Sequence, residues 1–121
     1  MKKILIGFDG SEGSEQALNR ALMLLDEYGD LILLAVVPSP ADKSFVDAGA
    51  YDKLKIKAEN LINQAVLDLG DQSFSIKGMI EQGDAAAKII DVANRLNVDL
   101  IVLGSKGQSQ IGQYLIGSVA N

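Results

Sequence analysis

The chain contains no cysteine and no histidine among its 121 residues. The absence of cysteine excludes disulfides, thiolate nucleophiles, iron–sulfur clusters and cysteine-based zinc sites. The absence of histidine excludes a Ser-His-Asp triad, an imidazole general base and histidine-ligated metals. Any catalysis would therefore depend on Asp, Glu, Lys, Tyr or Ser side chains, or on a hard metal ion held by oxygens.

The chain also lacks the features of membrane, secreted and nucleic-acid-binding proteins. No apolar run approaches the ~18 residues of a membrane span, and the N-terminus shows no signal peptide, so we expect a cytoplasmic location. A formal net charge of −5 argues against nucleic-acid binding through a basic face. A hydrophobic content of 48% with 22% charged residues instead predicts one globular domain over residues 1–121.

Apolar runs alternate with helical periodicities along the chain. Apolar runs predict strands at residues 3–8, 31–37 and 100–103, and a period-two alternation predicts a strand with one wetter face at residues 73–81. Helical spacing predicts three helices between them, with residues 41–51 as a loop. The first helix follows Asp9-Gly-Ser11, a turn with N-cap candidates, the second begins near Leu54, and the third follows Asp84 as its N-cap. This order predicts an α/β fold, in which an open, mainly parallel, Rossmann-like sheet carries helices on both faces.

Two strand ends carry residues suited to binding a ligand, and in such sheets ligands bind beyond the carboxyl ends of the strands. Asp9-Gly-Ser follows the first strand, and a glycine pattern, G-x2-G-x9-G-S, follows the fourth, over residues 104–118. Glycines let backbone N–H groups approach a phosphate, and a helix start adds unpaired donors. The P-loop pattern and the G-x-G-x-x-G dinucleotide pattern are both absent.

With these motifs the chain resembles the ATP-binding branch of the universal stress protein family, whose signature is G-x2-G-x9-G-[ST]. The resemblance extends over residues 2–11, 33–38, 81–84 and 98–107. It implies an adenine-nucleotide alpha-hydrolase-like sheet with the order 3-2-1-4-5, in which strands 1 and 4 flank the point where strand order reverses. It also implies a stress regulator that binds ATP, works as a homodimer and contacts a further protein partner.

The resemblance implies a role for each residue of a nucleotide site. Asp9 would lie near the ribose or the phosphates, where it would ligate Mg²⁺ or Mn²⁺. Gly7 and Phe8 would line the base pocket with Leu103 beside them, and Val36 would offer backbone groups to the adenine edge. Gly104 and Gly107 would let the loop pass close to ribose and phosphate, and the terminal phosphate cradle would comprise Gly117, Ser118 and the amide of Val119.

Other interpretations remain open for the residues and for the function. Gly104 would serve equally well as a turn after a strand, and Asp9 as the N-cap of the first helix. A family member that has lost its nucleotide would act by dimerisation and partner contact alone. A flavodoxin-like FMN protein is a third reading, which the absence of tryptophan disfavours. No residue is an evident base for activating water, so we expect at most a slow ATPase.

The C-terminal end departs from the family pattern. Members of the family usually continue past the Gly-Ser pair with a helix and a fifth strand, which pairs with a second subunit. This sequence stops at Asn121, so we expect that helix and strand to be missing and the natural protein to be longer. We also expect residues 100–103 to form an exposed apolar edge, unless a partner covers it.

Overall fold

The alternation of strands and helices predicted from the sequence is confirmed. The computed structural model describes residues 1–39, 48–104 and 113–116. Its elements are β1 (Lys3–Gly7), α1 (Glu12–Leu24), β2 (Asp30–Val37), α2 (Ala48–Leu69), β3 (Ser75–Gln82), α3 (Ala85–Leu96), β4 (Leu100–Leu103) and β5 (Gln113–Ile116). Within these described ranges no helix is both long and apolar enough to cross a membrane.

The five strands form one sheet in the order β3-β2-β1-β4-β5. Strands β1 to β4 are parallel to one another, as predicted. The chain moves outward from β1 through β2 to β3, and then returns to place β4 on the other side of β1. Strand order therefore reverses between β1 and β4, which is the position where open α/β sheets bind ligands.

Strand β5 differs from the expectation for the sheet edge. It pairs antiparallel with β4, with Gln113 opposite Leu103 and Ile116 opposite Leu100. The prediction of an exposed edge at residues 100–103 is therefore wrong. The sequence Gln-Tyr-Leu-Ile lies between two glycines of the tail motif, and its aromatic and β-branched residues favour a strand. Among the described residues there is no fifth parallel strand.

The sheet separates the core into two layers. The layer on the α1 and α2 side includes Ile4, Ile6, Ala17, Ala21, Leu31, Leu33, Ile62 and Val102. The layer on the α3 side includes Leu5, Ile32, Leu34, Val92, Ala93 and Ile101. Because successive side chains of a strand point to opposite faces, β1, β2 and β4 supply both layers. Apolar side chains on both faces explain why these strands appear as unbroken apolar runs in the sequence.

Helix α2 begins earlier than the sequence indicated. We expected residues 41–51 to be a loop, but residues 48–51 belong to α2. Tyr51, to which the sequence assigned no role, is only 8% exposed and packs in the layer between α2 and the sheet. Burial of this one side chain extends the helix where the apolar periodicity is weak, because packing contributes more than local propensity to helix stability.

Helix α3 begins at a capping residue that the sequence identified. The Asp84 carboxylate accepts a hydrogen bond from the backbone N–H of Ala87 at 3.0 Å. We expect Asp84→Ala to lower the free energy of unfolding by roughly 1 kcal/mol, because that amide loses its partner, while Asp84→Asn keeps the cap. Denaturation by urea measures both variants. The same loss in the two variants would contradict the capping role.

Candidate functional site

A pocket of about 340 Å³ lies at the carboxyl ends of β1, β2 and β4. Its walls come from three strand ends and from the first turns of α1 and α3. The described lining residues are Gly7, Phe8, Asp9, Ser11, Ser14, Leu34, Val36, Ala85, Ala86, Ile89, Leu103 and Gly104. The volume is at the lower end of the range for small-molecule sites, which are commonly apolar clefts with a few polar groups.

The structure brings together all six of the predicted site residues that it describes. Gly7 and Leu103 are direct partners in the β1–β4 ladder, and Leu34 is the partner of Gly7 on β2. Val36 lies further along β2, and Asp9 and Gly104 follow the ends of their strands. The remaining four predicted residues, Gly107, Gly117, Ser118 and Val119, lie outside the described residues.

The floor of the pocket is open because Gly7 has no side chain. A Cβ atom at Gly7 would lie 3.1 Å from Cδ2 of Leu103 and 3.4 Å from Cδ1 of Ile89. Both neighbours are the ends of flexible side chains, so one methyl group would fit after a small adjustment. A larger side chain at this position would occupy the space between β4 and α3.

Gly104 is required for packing of the chain itself. A Cβ atom at Gly104 would lie 2.5 Å from the carbonyl oxygen of Gly13 and 2.6 Å from the amide nitrogen of Ser14. Because these are backbone atoms of the first turn of α1, they cannot move aside as a side chain can. Gly104 therefore has a structural role after β4, because it allows the end of this strand to lie directly against α1.

A polar corner of the pocket is formed by Asp9, Ser11 and Ser14. Oδ1 of Asp9 accepts the backbone N–H of Ser11 at 2.9 Å, and Oγ of Ser11 accepts the N–H of Ser14 at 3.2 Å. The N-cap of α1 is therefore Ser11, and Asp9 supports the turn that precedes it. The hydroxyl of the buried Ser14 donates to the carbonyl oxygen of Ser11 at 2.9 Å.

The other walls of the pocket are apolar. Leu34, Val36, Ile89 and Leu103 surround the space, with the small residues at the start of α3 beside them. Phe8 is the one aromatic residue among the described lining residues, and its side chain is buried in the layer on the α1 and α2 side. Its backbone N–H donates to the carbonyl oxygen of Leu34 at 2.8 Å. Among the described lining residues there is therefore no other aromatic ring that could stack on a flavin.

Sequence reasoning missed half of the lining residues. They are Ser11, Ser14, Leu34, Ala85, Ala86 and Ile89. Two signals were available for some of them. Ser11 was recognised as a capping candidate at a strand end, and Ala85 and Ala86 directly follow the predicted cap at Asp84. The position of α3 over the end of β1 depends on tertiary packing, which no local pattern contains.

The sequence of this chain is similar to those of known proteins. The model of the Universal stress protein family matches residues 1–121. The stress response protein NhaX of Bacillus subtilis is 30% identical, with the match covering 98% of this chain and 88% of that protein.

Solved structures share the fold. The hypothetical protein MJ0577 is 31% identical and has a TM-score of 0.75, and the match covers 98% of this chain and 85% of that one. A universal stress protein family protein from Arabidopsis thaliana, solved with AMP bound, has a TM-score of 0.67 at 17% identity, with 92% of this chain and 81% of that chain covered.

Proposed function

Because the chain belongs to the universal stress protein family, we propose that it binds ATP in the pocket between β1 and β4 and acts as a nucleotide-dependent stress regulator. The observation that carries this proposal is the meeting of six predicted site residues at the point where strand order reverses. The AMP in the Arabidopsis structure supports an adenine nucleotide as the ligand class. We place this activity in the cytoplasm, in a single domain over residues 1–121 that works as a homodimer.

The described walls suit the two ends of a nucleotide differently. The apolar side of the pocket, around Val36, Ile89 and Leu103, would accept the base, and the backbone of β2 would offer hydrogen bonds to its edge. The polar corner around Asp9 and the first turn of α1 would lie on the side of the phosphates. The phosphates would then reach Gly107 and the cradle of Gly117, Ser118 and Val119, where glycine amides suit an anion.

A divalent cation fits this site as a companion of the phosphates. Asp9 is the one carboxylate among the described lining residues, and no group of three acidic side chains that could hold a metal occurs among the described residues. Mg²⁺ typically binds one or two carboxylates together with phosphate oxygens and water. Asp9 would therefore supply one ligand to Mg²⁺ or Mn²⁺, and the ion would neutralise phosphate charge.

The described lining residues would support only slow hydrolysis of ATP. Asp9 is the one titratable side chain among the described lining residues, and its Oδ1 already accepts the Ser11 N–H. A general base needs to reach the attacking water, and a side chain engaged in a turn serves that role poorly. We therefore assign this site to nucleotide binding and regulation.

The identity of the ligand can be tested by mass spectrometry. The purified protein is denatured and the released small molecules are identified. We expect an adenine nucleotide, and ATP added to nucleotide-free protein should produce a saturable heat in calorimetry. Protein that releases no nucleotide and gives no heat with ATP would favour the alternative of a family member that acts by partner contact alone.

Gly7→Val tests whether the base occupies the pocket. The added methyl groups would fill the space beside Leu103 and Ile89. The base would lose part of its space, so we expect ATP to bind about tenfold to a hundredfold more weakly, which corresponds to roughly 1.4–2.8 kcal/mol of binding free energy. Calorimetry measures the change, and Gly7→Ala, whose single methyl group fits, should bind nearly as well as the wild type. Unchanged affinity in Gly7→Val would contradict the assignment of the base to this space.

A further inference from the structure

Strand β3 has an open outer edge within the part of the chain that the structure describes. The sheet order places β2 on one side of β3 and no described strand on the other. Four of its eight residues are exposed and the others are half-buried, in contrast to the buried central strands. Unpaired N–H and C=O groups along such an edge are a template for pairing with another strand.

The charges on β3 are arranged symmetrically about its centre. Lys77 and Glu81 are each two residues from Met79, and residues at even spacing point to the same face of a strand. Both point toward the α3 side. Lys77 lines a small hollow with Leu96 of α3, and Glu81 lies 3.3 Å from the Arg95 guanidinium of the same helix.

Arg95 holds the Glu81 carboxylate in a defined position. Its Nε donates to Oδ2 of Asp91 at 3.1 Å while its Nη2 lies against Glu81. The hydrogen bond to Glu81 raises the pKa of Arg95 above its usual value, and the charge of Asp91 acts in the same direction. The Glu81 side chain is 22% exposed and lies on a strand with no described neighbour on its outer side.

Helix α2 places a stripe of amide and apolar side chains along the same edge. Asn60 and Asn63 line a groove of about 320 Å³ together with Gly78 and Ile80 of β3. At helical spacing, Ile56 and Leu67 continue the stripe on either side, and they are 54% and 73% exposed. Large apolar residues that flank amides beside an open strand are typical of a surface that binds another protein.

We propose that β3 is a dimerisation edge, at which the β3 strands of two copies pair antiparallel about a two-fold axis through Met79. In this register residue 77 lies opposite residue 81 of the second copy, so the dimer contains two lysine–glutamate pairs. Directly opposed side chains in antiparallel strands are close enough to interact. The α2 stripes of the two copies would meet on the other face of the joined sheet.

The charges favour a second copy over other partners. A lysine on an edge strand discourages pairing with most strands. Here the lysine of one copy would face the carboxylate of the same strand in the second copy. Pairing therefore favours a strand with this spacing of opposite charges. The proposal does not depend on nucleotide binding, because β3 contributes no residue to the pocket between β1 and β4.

Single cysteines test the register directly, because the chain has no cysteine of its own. In the full chain, Met79→Cys places two thiols opposite each other across the axis, at a separation that a disulfide can span. Ser75→Cys places them about eight residues apart along the strand direction, roughly 26 Å. After mild oxidation we expect a covalent dimer for Met79→Cys and monomer for Ser75→Cys on a non-reducing gel. Equal crosslinking of the two variants, or none in either, would overturn the proposed register.

Charge reversal tests the pairing without any crosslink. Lys77→Glu places like charges opposite each other at two positions, and we expect the dimer dissociation constant to rise about tenfold or more. The double variant Lys77→Glu/Glu81→Lys restores opposite charges and should recover most of the affinity. Arg20→Glu, at an exposed position of α1 on the far side of the sheet from β3, makes the same change of net charge as a control. Sedimentation over a range of concentrations measures all four proteins, and a wild type that stays monomeric or a dimer indifferent to Lys77→Glu would overturn the proposal.

Discussion

Gly104→Ala is expected to lower the free energy of unfolding by about 2–3 kcal/mol, a large effect for the addition of one methyl group. The new Cβ atom would overlap the backbone of Gly13 and Ser14 in the first turn of α1. Neither strand β4 nor helix α1 can shift alone, because both are packed in the same core layer through Val102 and Ala17. The cost therefore comes from displacing one element against the other.

Gly70→Ala is the matched control for this variant. Gly70 follows α2 with φ +67°, and a Cβ atom there would meet no atom within 4 Å. Its cost comes from backbone conformation alone, about 1–2 kcal/mol. Urea denaturation of both variants measures the difference. A loss in Gly104→Ala no greater than in Gly70→Ala would show that the close approach of β4 to α1 does not constrain the fold.

Gly117→Val is expected to abolish ATP binding. Gly117 is the third glycine of the tail motif, and its place in the phosphate cradle is a prediction from the sequence pattern. A valine side chain would stand where backbone amides need to reach the phosphate. We expect no saturable heat with ATP in calorimetry, while the unfolding transition stays close to that of the wild type.

Gln110→Val provides the comparison within the same segment. It introduces the same side chain at a spacer position between Gly107 and Gly117, where the motif requires no glycine. We expect Gln110→Val to bind ATP as the wild type does. Equal affinity of Gly117→Val and the wild type would refute the assignment of the cradle, and equal loss in both variants would show that the effect is not specific to Gly117.

The order of elements could be predicted because each signal is local. Unbroken apolar runs such as residues 31–37 indicate strands covered on both faces, and β2 is buried along nearly its whole length. Ser11 and Asp84 are capping residues that mark helix starts, and both act as N-caps in the structure. These signals depend on residues within a few positions of one another, so one sequence is enough to recognise them.

The features that could not be predicted depend on contacts between distant segments. Gly104 looks like a turn residue in the sequence, and its requirement becomes clear only when β4 lies against α1. The wall at Ala85, Ala86 and Ile89 exists because α3 packs on the sheet with its first turns beside the strand ends. Likewise, β5 pairs with β4, but its four residues are too few for a periodicity that would distinguish a strand from a loop.

The most direct test of the account is to follow backbone amide resonances of the isotope-labelled protein by NMR while ATP and Mg²⁺ are added. We predict saturable shifts at residues 7–14, 85–89 and 103–104, with little change at the β3 edge around Gly78. Such a pattern would locate the nucleotide in the pocket between β1 and β4. The absence of saturable shifts, or shifts concentrated around Asn60 and Gly78, would contradict it.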